Sequence, residues 1–258
     1  LLMDLEKKSS YYLKHLSPSR VEDSANCTDL EYRIFSFFKK KRHEQMRPVL
    51  LSLITKKEEG DLDENLYEKT IKFLYNFYIC YNIIGEENSN RLTNIVNKFS
   101  AKINRDCSEE IIQMFVDELR SKLPSKDMFI NAFKNVGWSH HSSIYEGEKN
   151  KTRVQTVLEV FERYNNANFC LENFTIEHIL PDSSSPENGQ IGNLIPLEEN
   201  YNLSCKDKEL NDKMAIYQNS VYASTRMFAK RYKTREFDPA KRSERMAEMF
   251  YDEILKLS

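Results

Sequence analysis

The chain has 258 residues, of which 40% are hydrophobic and 30% are charged, and its formal net charge is -2. This composition is typical of a soluble and mainly helical protein, and no apolar stretch approaches the ~20 residues that a membrane-spanning helix needs. The first residues carry too many charges for a signal peptide, so we expect a cytoplasmic protein. The sequence begins with Leu1 rather than Met, which predicts that it is part of a longer chain. Because the net charge is close to neutral, any nucleic-acid binding must rest on a local basic surface.

Five cysteines are spread along the chain, and no two of them form a CxxC pair. Zinc knuckles and related zinc sites use such pairs, and disulfide frameworks use an even set of cysteines in a short secreted chain. The sequence therefore argues against both of these classes.

Residues 1–165 show helical periodicity almost throughout. In residues 66–84, apolar side chains recur every three or four positions while Glu, Lys and Asn occupy the other face, which predicts one amphipathic helix. Ser108 precedes another such segment, and Asp61 or Asp63 precedes this one, and these residue types cap helix N-termini. The further helices predicted in this region cover residues 30–42, 109–123, 126–136 and 153–164.

Aromatic side chains are frequent in the segment 66–84. They are Tyr67, Phe73, Tyr75, Phe77, Tyr78 and Tyr81. Such a set can stack against nucleic-acid bases, but its helical spacing is far more typical of core packing. We predict that these rings belong to the core.

The pattern of apolar and polar residues changes after Asn165. A short alternating run, a loop rich in Ser, Pro, Asn and Gly, a second apolar run and a polar segment predict a strand, a loop, a strand and a helix in that order. Helical patterns resume from Asp207, and Pro239 marks the start of the last predicted helix. We therefore predict a mainly α chain, with a helical region over residues 1–165 and a small ββα module among C-terminal helices over residues 166–258.

Glu177 and His178 lie next to each other in the first predicted strand, within the run FTIEHILP. A carboxylate can hold a hard divalent cation while a neutral imidazole takes a proton from water, which is a combination suited to hydrolysis. A single histidine in a strand is more often structural, so this dipeptide alone does not establish a catalytic site.

The second predicted strand and its flanks supply three further candidates, in the run IGNLIPLEENYN. Gly192 permits a tight backbone geometry, and the amide of Asn193 can brace a loop by bonding to backbone groups. Asn202 supplies a neutral oxygen ligand, and a small number of oxygen ligands suits magnesium.

Taken together, EHILP, a short loop, IGNL and an Asn nine positions after the first Asn resemble the HNH, or His-Me finger, nucleases. More narrowly, they resemble the C-terminal nuclease domain of GmrSD-type restriction proteins, which attack modified DNA. The resemblance covers about residues 174–220, where Lys213 and Ser220 also fit. Glu177 departs from the Asp or His usual in the wider HNH group. Asp182 replaces the Gln typical after the proline, and we expect it to be a loop residue rather than an additional acid near the metal.

The resemblance implies a role for each motif residue. His178 would be the general base, and Asn193 would fix the loop that carries it. Glu177 and Asn202 would hold one Mg²⁺ or Mn²⁺ ion, within a ββα-metal (HNH) module. Because the base must be neutral, activity should fall as the pH drops through the pKa of His178.

Basic residues after the motif are candidates for DNA contacts. Lys213 lies on the helix after the motif, and Arg226, Lys230 and Arg231 belong to a denser basic stretch. A solvated helix face is the alternative for Lys213. The resemblance also implies an N-terminal nucleotide-hydrolysing domain in a longer parent protein, as a partner in a restriction or anti-phage system.

Two other interpretations remain open. Besides a DNA endonuclease, the chain could be a helical interaction or nucleic-acid-binding module that no longer cleaves. The third interpretation is a nuclease directed at RNA.

His140 and His141 form a separate polar cluster beside Trp138. Neighbouring side chains diverge too much to share one metal, so we predict that this segment is a surface connection anchored by the tryptophan.

Overall fold

A computed structural model describes residues 2–19, 27–40, 44–166, 174–206 and 208–256. The protein is mainly helical, as predicted, and its described part contains one small two-stranded sheet. Contacts divide the chain into two compact units, the first formed by Leu1–Asn82 and Glu86–Leu123, the second by Ile83–Gly85 and Pro124–Ser258. Within the described ranges, no helix combines the length and the apolar character that crossing a membrane requires.

The first unit is built from helices in its described part. They are α1 (Leu2–Leu16), α2 (Asp29–Lys40), α3 (Arg47–Glu58), α4 (Glu64–Tyr78), α5 (Thr93–Arg105) and α6 (Glu109–Arg120). A π-helical turn over Ile79–Ile84 continues α4, so the helix predicted over residues 66–84 is one helical segment. Asp63 caps α4 by accepting a hydrogen bond from the Leu66 backbone N–H at 2.9 Å. Ser108 lies at the N-cap of α6, but its side chain makes no capping hydrogen bond.

The aromatic side chains of α4 and its extension pack into the core of the first unit. Tyr67, Tyr75, Phe77, Tyr78 and Tyr81 are buried, and Phe73 is half-buried. Burial of large rings in contact with one another is a main source of core stability. The core prediction for this stripe is therefore confirmed.

The second unit contains the remaining elements. They are α7 (Lys126–Lys134), α8 (Glu148–Asn165), β1 (Thr175–His178), β2 (Leu194–Leu197), α9 (Glu199–Cys205), α10 (Leu210–Tyr217), α11 (Ala223–Tyr232) and α12 (Pro239–Met249). The predicted order of strand, loop, strand and helix is confirmed, as is Pro239 at the start of the last helix. The contacts place α7 and α8 in the same unit as the strands. The predicted boundary between two regions at residue 165 depends on the residue pattern alone and stays a prediction.

The two strands form an antiparallel pair in which Glu177 lies opposite Ile195 and His178 lies opposite Leu194. Beyond the last pair, the Ile179 N–H donates to the Asn193 carbonyl at 2.9 Å and extends the ladder. Every residue of β2 is buried, because α8 and α11 pack against it. The strand pair therefore has a fixed register that sets the direction of each β1 side chain.

Two contacts fix the helices around the strand pair. Glu162 of α8 is fully buried, and its carboxylate accepts hydrogen bonds from the N–H groups of Ala223 (2.7 Å) and Ser224 (2.9 Å) at the start of α11. A carboxylate at a helix N-terminus satisfies unpaired donors and favours the helix dipole. On another side, α12 packs against the turn Ile191–Asn193, where Ser243 Oγ accepts a hydrogen bond from the Gly192 N–H at 2.9 Å.

Candidate active site

A pocket of about 660 Å³ in the second unit brings together four of the predicted residues. They are Glu177 and His178 of β1, Asn202 of α9 and Lys213 of α10. Trp138 and Asp182 also line it. We call this the histidine pocket.

The imidazole of His178 is held by the backbone of a distant segment. Its Nε2 lies 3.0 Å from the carbonyl oxygen of Trp138, and the two rings lie 5.6 Å apart between centroids. A carbonyl oxygen only accepts hydrogen bonds, so this contact places the proton of the neutral ring on Nε2 and leaves the lone pair on Nδ1. Burial lowers the pKa of His178, and the Trp138 carbonyl and Asp182 oppose this only in part. The lowered pKa keeps the ring neutral near neutral pH, and the neutral ring is the form that can accept a proton.

Asp182 lies at the start of the loop that follows β1. Its Oδ2 accepts a hydrogen bond from the His140 backbone N–H at 2.8 Å, while Oδ1 is buried without a hydrogen-bond partner, 3.6 Å from His178 Nε2. The residue thus holds the loop, as predicted, and also places a negative charge beside the imidazole. A charge in this position stabilises the imidazolium that forms when His178 accepts a proton.

Asn193 is fully buried and ties the two ends of the loop between the strands together. Its Oδ1 accepts a hydrogen bond from the Leu180 N–H at 2.9 Å, and its Nδ2 donates to the carbonyls of Leu180 (2.9 Å) and Asn188 (2.7 Å). The side chain therefore pairs backbone groups that have no partner in a strand or helix. Asn193 does not line the histidine pocket.

Asn202 fastens α9 to β1. Its Nδ2 donates to Thr175 Oγ1 at 2.8 Å and to the Ile176 carbonyl at 3.2 Å. Because these contacts use the nitrogen of the amide, Oδ1 is the atom that remains for a ligand.

Glu177 and Lys213 form a buried ion pair with a separation of 2.9 Å between Nζ and Oε1. The Tyr217 hydroxyl donates to the same oxygen at 2.8 Å, and burial beside this carboxylate raises the pKa of Tyr217. Lys213 Nζ also donates to the His178 carbonyl at 2.9 Å. Because its ammonium already binds protein oxygens, the predicted phosphate contact of Lys213 would require these bonds to be exchanged.

The donor set of the pocket is compatible with one hard cation. Lys213 and Tyr217 both bond to Oε1 of the Glu177 carboxylate, which leaves Oε2, and Asn202 offers Oδ1. One carboxylate and one amide oxygen suit Mg²⁺, which keeps several of its water molecules. The described residues contain no cluster of three or more His, Cys, Asp or Glu side chains arranged for a metal.

Apart from Lys213, the basic residues predicted to contact DNA do not line the histidine pocket. Arg226 donates from Nη1 to the Ser220 carbonyl, and Ser220 in turn donates to Glu198 at 2.7 Å. Lys230 and Arg231 line a second pocket of the same unit.

Trp138 is the residue that sequence reasoning did not assign to the site. The sequence predicts a surface connection here, and His140 and His141 are exposed, but both also line the histidine pocket. Its contact with His178 uses a backbone carbonyl, which no residue type encodes. The one available signal is that this single tryptophan lies in a polar loop, where a large ring needs a packing partner.

Comparison with known protein families gives a match over the second half of the chain. Residues 123–250 match the family model described as GmrSD restriction endonucleases, C-terminal domain. None of the curated proteins compared with the chain matches it. The family match indicates a nuclease of the restriction-endonuclease type. Over residues 123–250, the chain thus resembles the C-terminal domain of the GmrSD restriction endonucleases.

Proposed function

We propose that this chain is a metal-dependent DNA endonuclease of the HNH type, in which β1, β2 and α9 form the ββα-metal module. The observation that carries the proposal is the contact of His178 Nε2 with the Trp138 carbonyl, in a pocket that also contains Glu177 and Asn202. The resemblance to a restriction-endonuclease domain supports the same function.

In this proposal His178 is the general base. Its Nδ1 takes the proton from the water that attacks the scissile phosphate, and the Trp138 carbonyl holds the ring in the required tautomer. Asp182 Oδ1, 3.6 Å from Nε2, favours the protonated ring that results.

Glu177 and Asn202 are the proposed ligands of a Mg²⁺ or Mn²⁺ ion. When bound, such an ion supplies positive charge to the phosphate and to the leaving oxygen. Asn202 is fixed for this role because its amide nitrogen is anchored to β1. Glu177 would contribute through Oε2 while Oε1 stays on Lys213 and Tyr217.

Asn193 and Lys213 act in the proposal by positioning the base. Asn193 fixes the loop after β1 through hydrogen bonds with the Leu180 backbone. Lys213 donates a hydrogen bond to the backbone carbonyl of His178. A base that is displaced by 1 Å loses much of its effect, so residues of this kind matter to the rate even without touching the substrate.

DNA is the proposed substrate, and restriction of foreign DNA is the proposed biological role. Arg226, Lys230 and Arg231 are exposed cations of α11 that supply candidate phosphate contacts. We further propose a nucleotide-hydrolysing domain of the same parent protein as the partner of this chain, and a cytoplasmic location.

The proposal is tested by incubating a labelled DNA duplex, and an RNA duplex of the same sequence, with the wild-type chain, Asn202→Ala and Asn219→Ala in Mg²⁺. Asn219 is the matched control, because it is an exposed amide whose side chain bonds only to the Ala215 carbonyl. We expect cleavage of DNA, an about 100-fold slower rate in Asn202→Ala, and the wild-type rate in Asn219→Ala. Equal rates in all three proteins would contradict the metal site, and cleavage of RNA alone would contradict the substrate.

A further inference from the structure

A second pocket of about 600 Å³ lies in the second unit, lined by residues of α8, α11, α12 and the segment between α11 and α12. It shares no lining residue with the histidine pocket. Its cationic lining residues are Lys230, Arg231, Arg235, Arg242 and Arg245. We call it the basic pocket.

The charge of the basic pocket is unbalanced. Its lining contains five cationic side chains and no carboxylate. Within the described ranges of the chain, no salt bridge includes any of the five. The whole chain has a net charge of -2, so this concentration does not reflect a generally basic protein. An anion is the ligand that such a site favours.

Arg242 makes part of this charge a fixed feature of the fold. The residue is 7% exposed, and its Nη1 donates to the carbonyls of Gly192 (2.7 Å) and Leu194 (3.0 Å). Its guanidinium also lies over the ring of Phe228, 5.2 Å from the centroid. Burial lowers the pKa of Arg242 to about 10, which reflects the cost of a desolvated charge without a carboxylate partner. A bound anion would offset that cost.

The remaining wall of the pocket is apolar. It includes Phe161, Met227, Phe228 and Met249. Met227 is exposed beside the five cations, so its flexible thioether is accessible to a ligand in the pocket. Cationic groups beside aromatic and methionine side chains form a surface that binds a phosphate and the flat face of a base together.

We propose that the basic pocket binds one unpaired nucleotide of a DNA strand, with its phosphate on the arginines and its base against the apolar wall. This inference rests on the proposed function, because it takes DNA as the substrate of the chain. A nucleotide in an intact duplex cannot place its base in a pocket, so the pocket recognises single-stranded or locally opened DNA. Arg242 joins this pocket to the carbonyls on either side of Asn193, the residue that fixes the loop of the histidine pocket.

The test measures binding to the full chain carrying His178→Ala, so that the DNA stays intact. Fluorescence anisotropy compares a labelled ten-nucleotide thymidine strand with an abasic strand of the same length. The variant Arg235→Glu is compared with Lys233→Glu, which makes the same charge change at an exposed residue near the end of α11 that does not line the pocket. Thermal unfolding of both variants confirms that each remains folded.

We expect Arg235→Glu to weaken binding of the thymidine strand about tenfold or more and Lys233→Glu to weaken it no more than about twofold. We also expect the abasic strand to bind several times more weakly than the thymidine strand. Equal effects of the two variants would overturn the proposal, because binding would then depend on overall charge. Equal affinity for the two strands would also overturn it, because the pocket would then hold phosphate alone.

Failure of this proposal is distinguishable from failure of the proposed function. If the wild-type chain cleaves DNA but Arg235→Glu binds as the wild type does, the pocket is refuted and the nuclease stands. If the chain never cleaves DNA but binds the thymidine strand through Arg235, the nuclease is refuted and the pocket stands.

Discussion

Glu177 and Lys213 form a buried ion pair next to the proposed base, since Lys213 also donates to the His178 carbonyl. Each side chain is almost fully enclosed, so neither charge has water to replace its partner. Removing one partner of such a pair leaves a desolvated charge, which costs far more than the pair contributes as a whole. The pair therefore acts as a unit, and Tyr217 completes it by donating to the same carboxylate oxygen.

We predict that Lys213→Met lowers the free energy of unfolding by about 4 kcal/mol, because among the described residues it leaves the Glu177 carboxylate with Tyr217 as its hydrogen-bond donor. The double variant Glu177→Gln, Lys213→Met should lose less than the sum of the two single variants, by about 2 kcal/mol. Urea unfolding of the four proteins measures this coupling. Additive losses would show that the two residues contribute independently and would contradict the geometry.

The residues of the candidate site differ in how far the sequence predicts their contacts. Glu177, His178, Asn193 and Asn202 follow from a short motif, since their chemistry depends on residue type and on spacing along two strands and a helix. The motif does not predict that Lys213 pairs with Glu177, because that contact depends on how α10 packs against β1. Nor does it predict the Trp138 contact, which uses a backbone atom 40 residues away.

At the level of elements, the contact between α12 and the turn Ile191–Asn193 holds the loop of the histidine pocket in place. A Cβ at Gly192 would lie 2.0 Å from the Pro239 carbonyl and 2.4 Å from Ser243 Oγ. Backbone atoms cannot yield to such a contact without moving a whole segment. Gly192 is therefore required by the close approach of α12, which gives a physical reason for the glycine of the motif.

We predict that Gly192→Ala destabilises the protein by about 3 kcal/mol, because it separates α12 from the turn that includes Asn193. Ser243→Ala is the control. It removes the hydrogen bond to the Gly192 N–H but introduces no clash, and should cost about 1 kcal/mol. Thermal unfolding compares the two variants, and a milder effect of Gly192→Ala than of Ser243→Ala would refute the steric account.

The hydrophobic periodicity of the sequence predicts the secondary-structure elements better than it predicts how these elements pack against one another. The helices over residues 109–120 and 126–134 begin where the sequence pattern places them, since their apolar spacing and N-terminal residues are local signals. The packing of α12 on a turn about 50 residues earlier in the chain has no local signal. Glycine at position 192 indicates a special backbone position, but the sequence does not say which element approaches it.

At the scale of the whole molecule, the buried imidazole of His15 makes the stability of the chain depend on pH. His15 is 3% exposed, its Nδ1 is buried without a hydrogen-bond partner, and its ring makes an edge contact with Phe35. Burial, and then the nearby charge of Arg47, lower the pKa of His15 to about 4. The folded chain therefore holds this imidazole neutral well below the pH at which the unfolded chain protonates it.

We predict that the first unit loses stability as the pH falls from about 6.5 toward about 4, because the unfolded state binds a proton there that the folded state does not. Above about pH 6.5 the contribution is fully present. Between pH 7 and pH 4.5, the wild-type chain should lose about 2 kcal/mol more than His15→Leu, which cannot titrate. Urea unfolding at the two pH values tests this, and equal losses in both proteins would contradict the account.

We propose above all that the histidine pocket hydrolyses DNA with the help of a divalent metal ion. The most direct measurement incubates supercoiled plasmid with the purified chain and Mg²⁺ or Mn²⁺, beside reactions with EDTA and with His178→Ala. We predict conversion to open-circular or linear DNA by the wild-type chain with metal, and an at least about 1000-fold slower reaction in His178→Ala. Conversion that persists in EDTA, or that proceeds at the wild-type rate in His178→Ala, would contradict the claim.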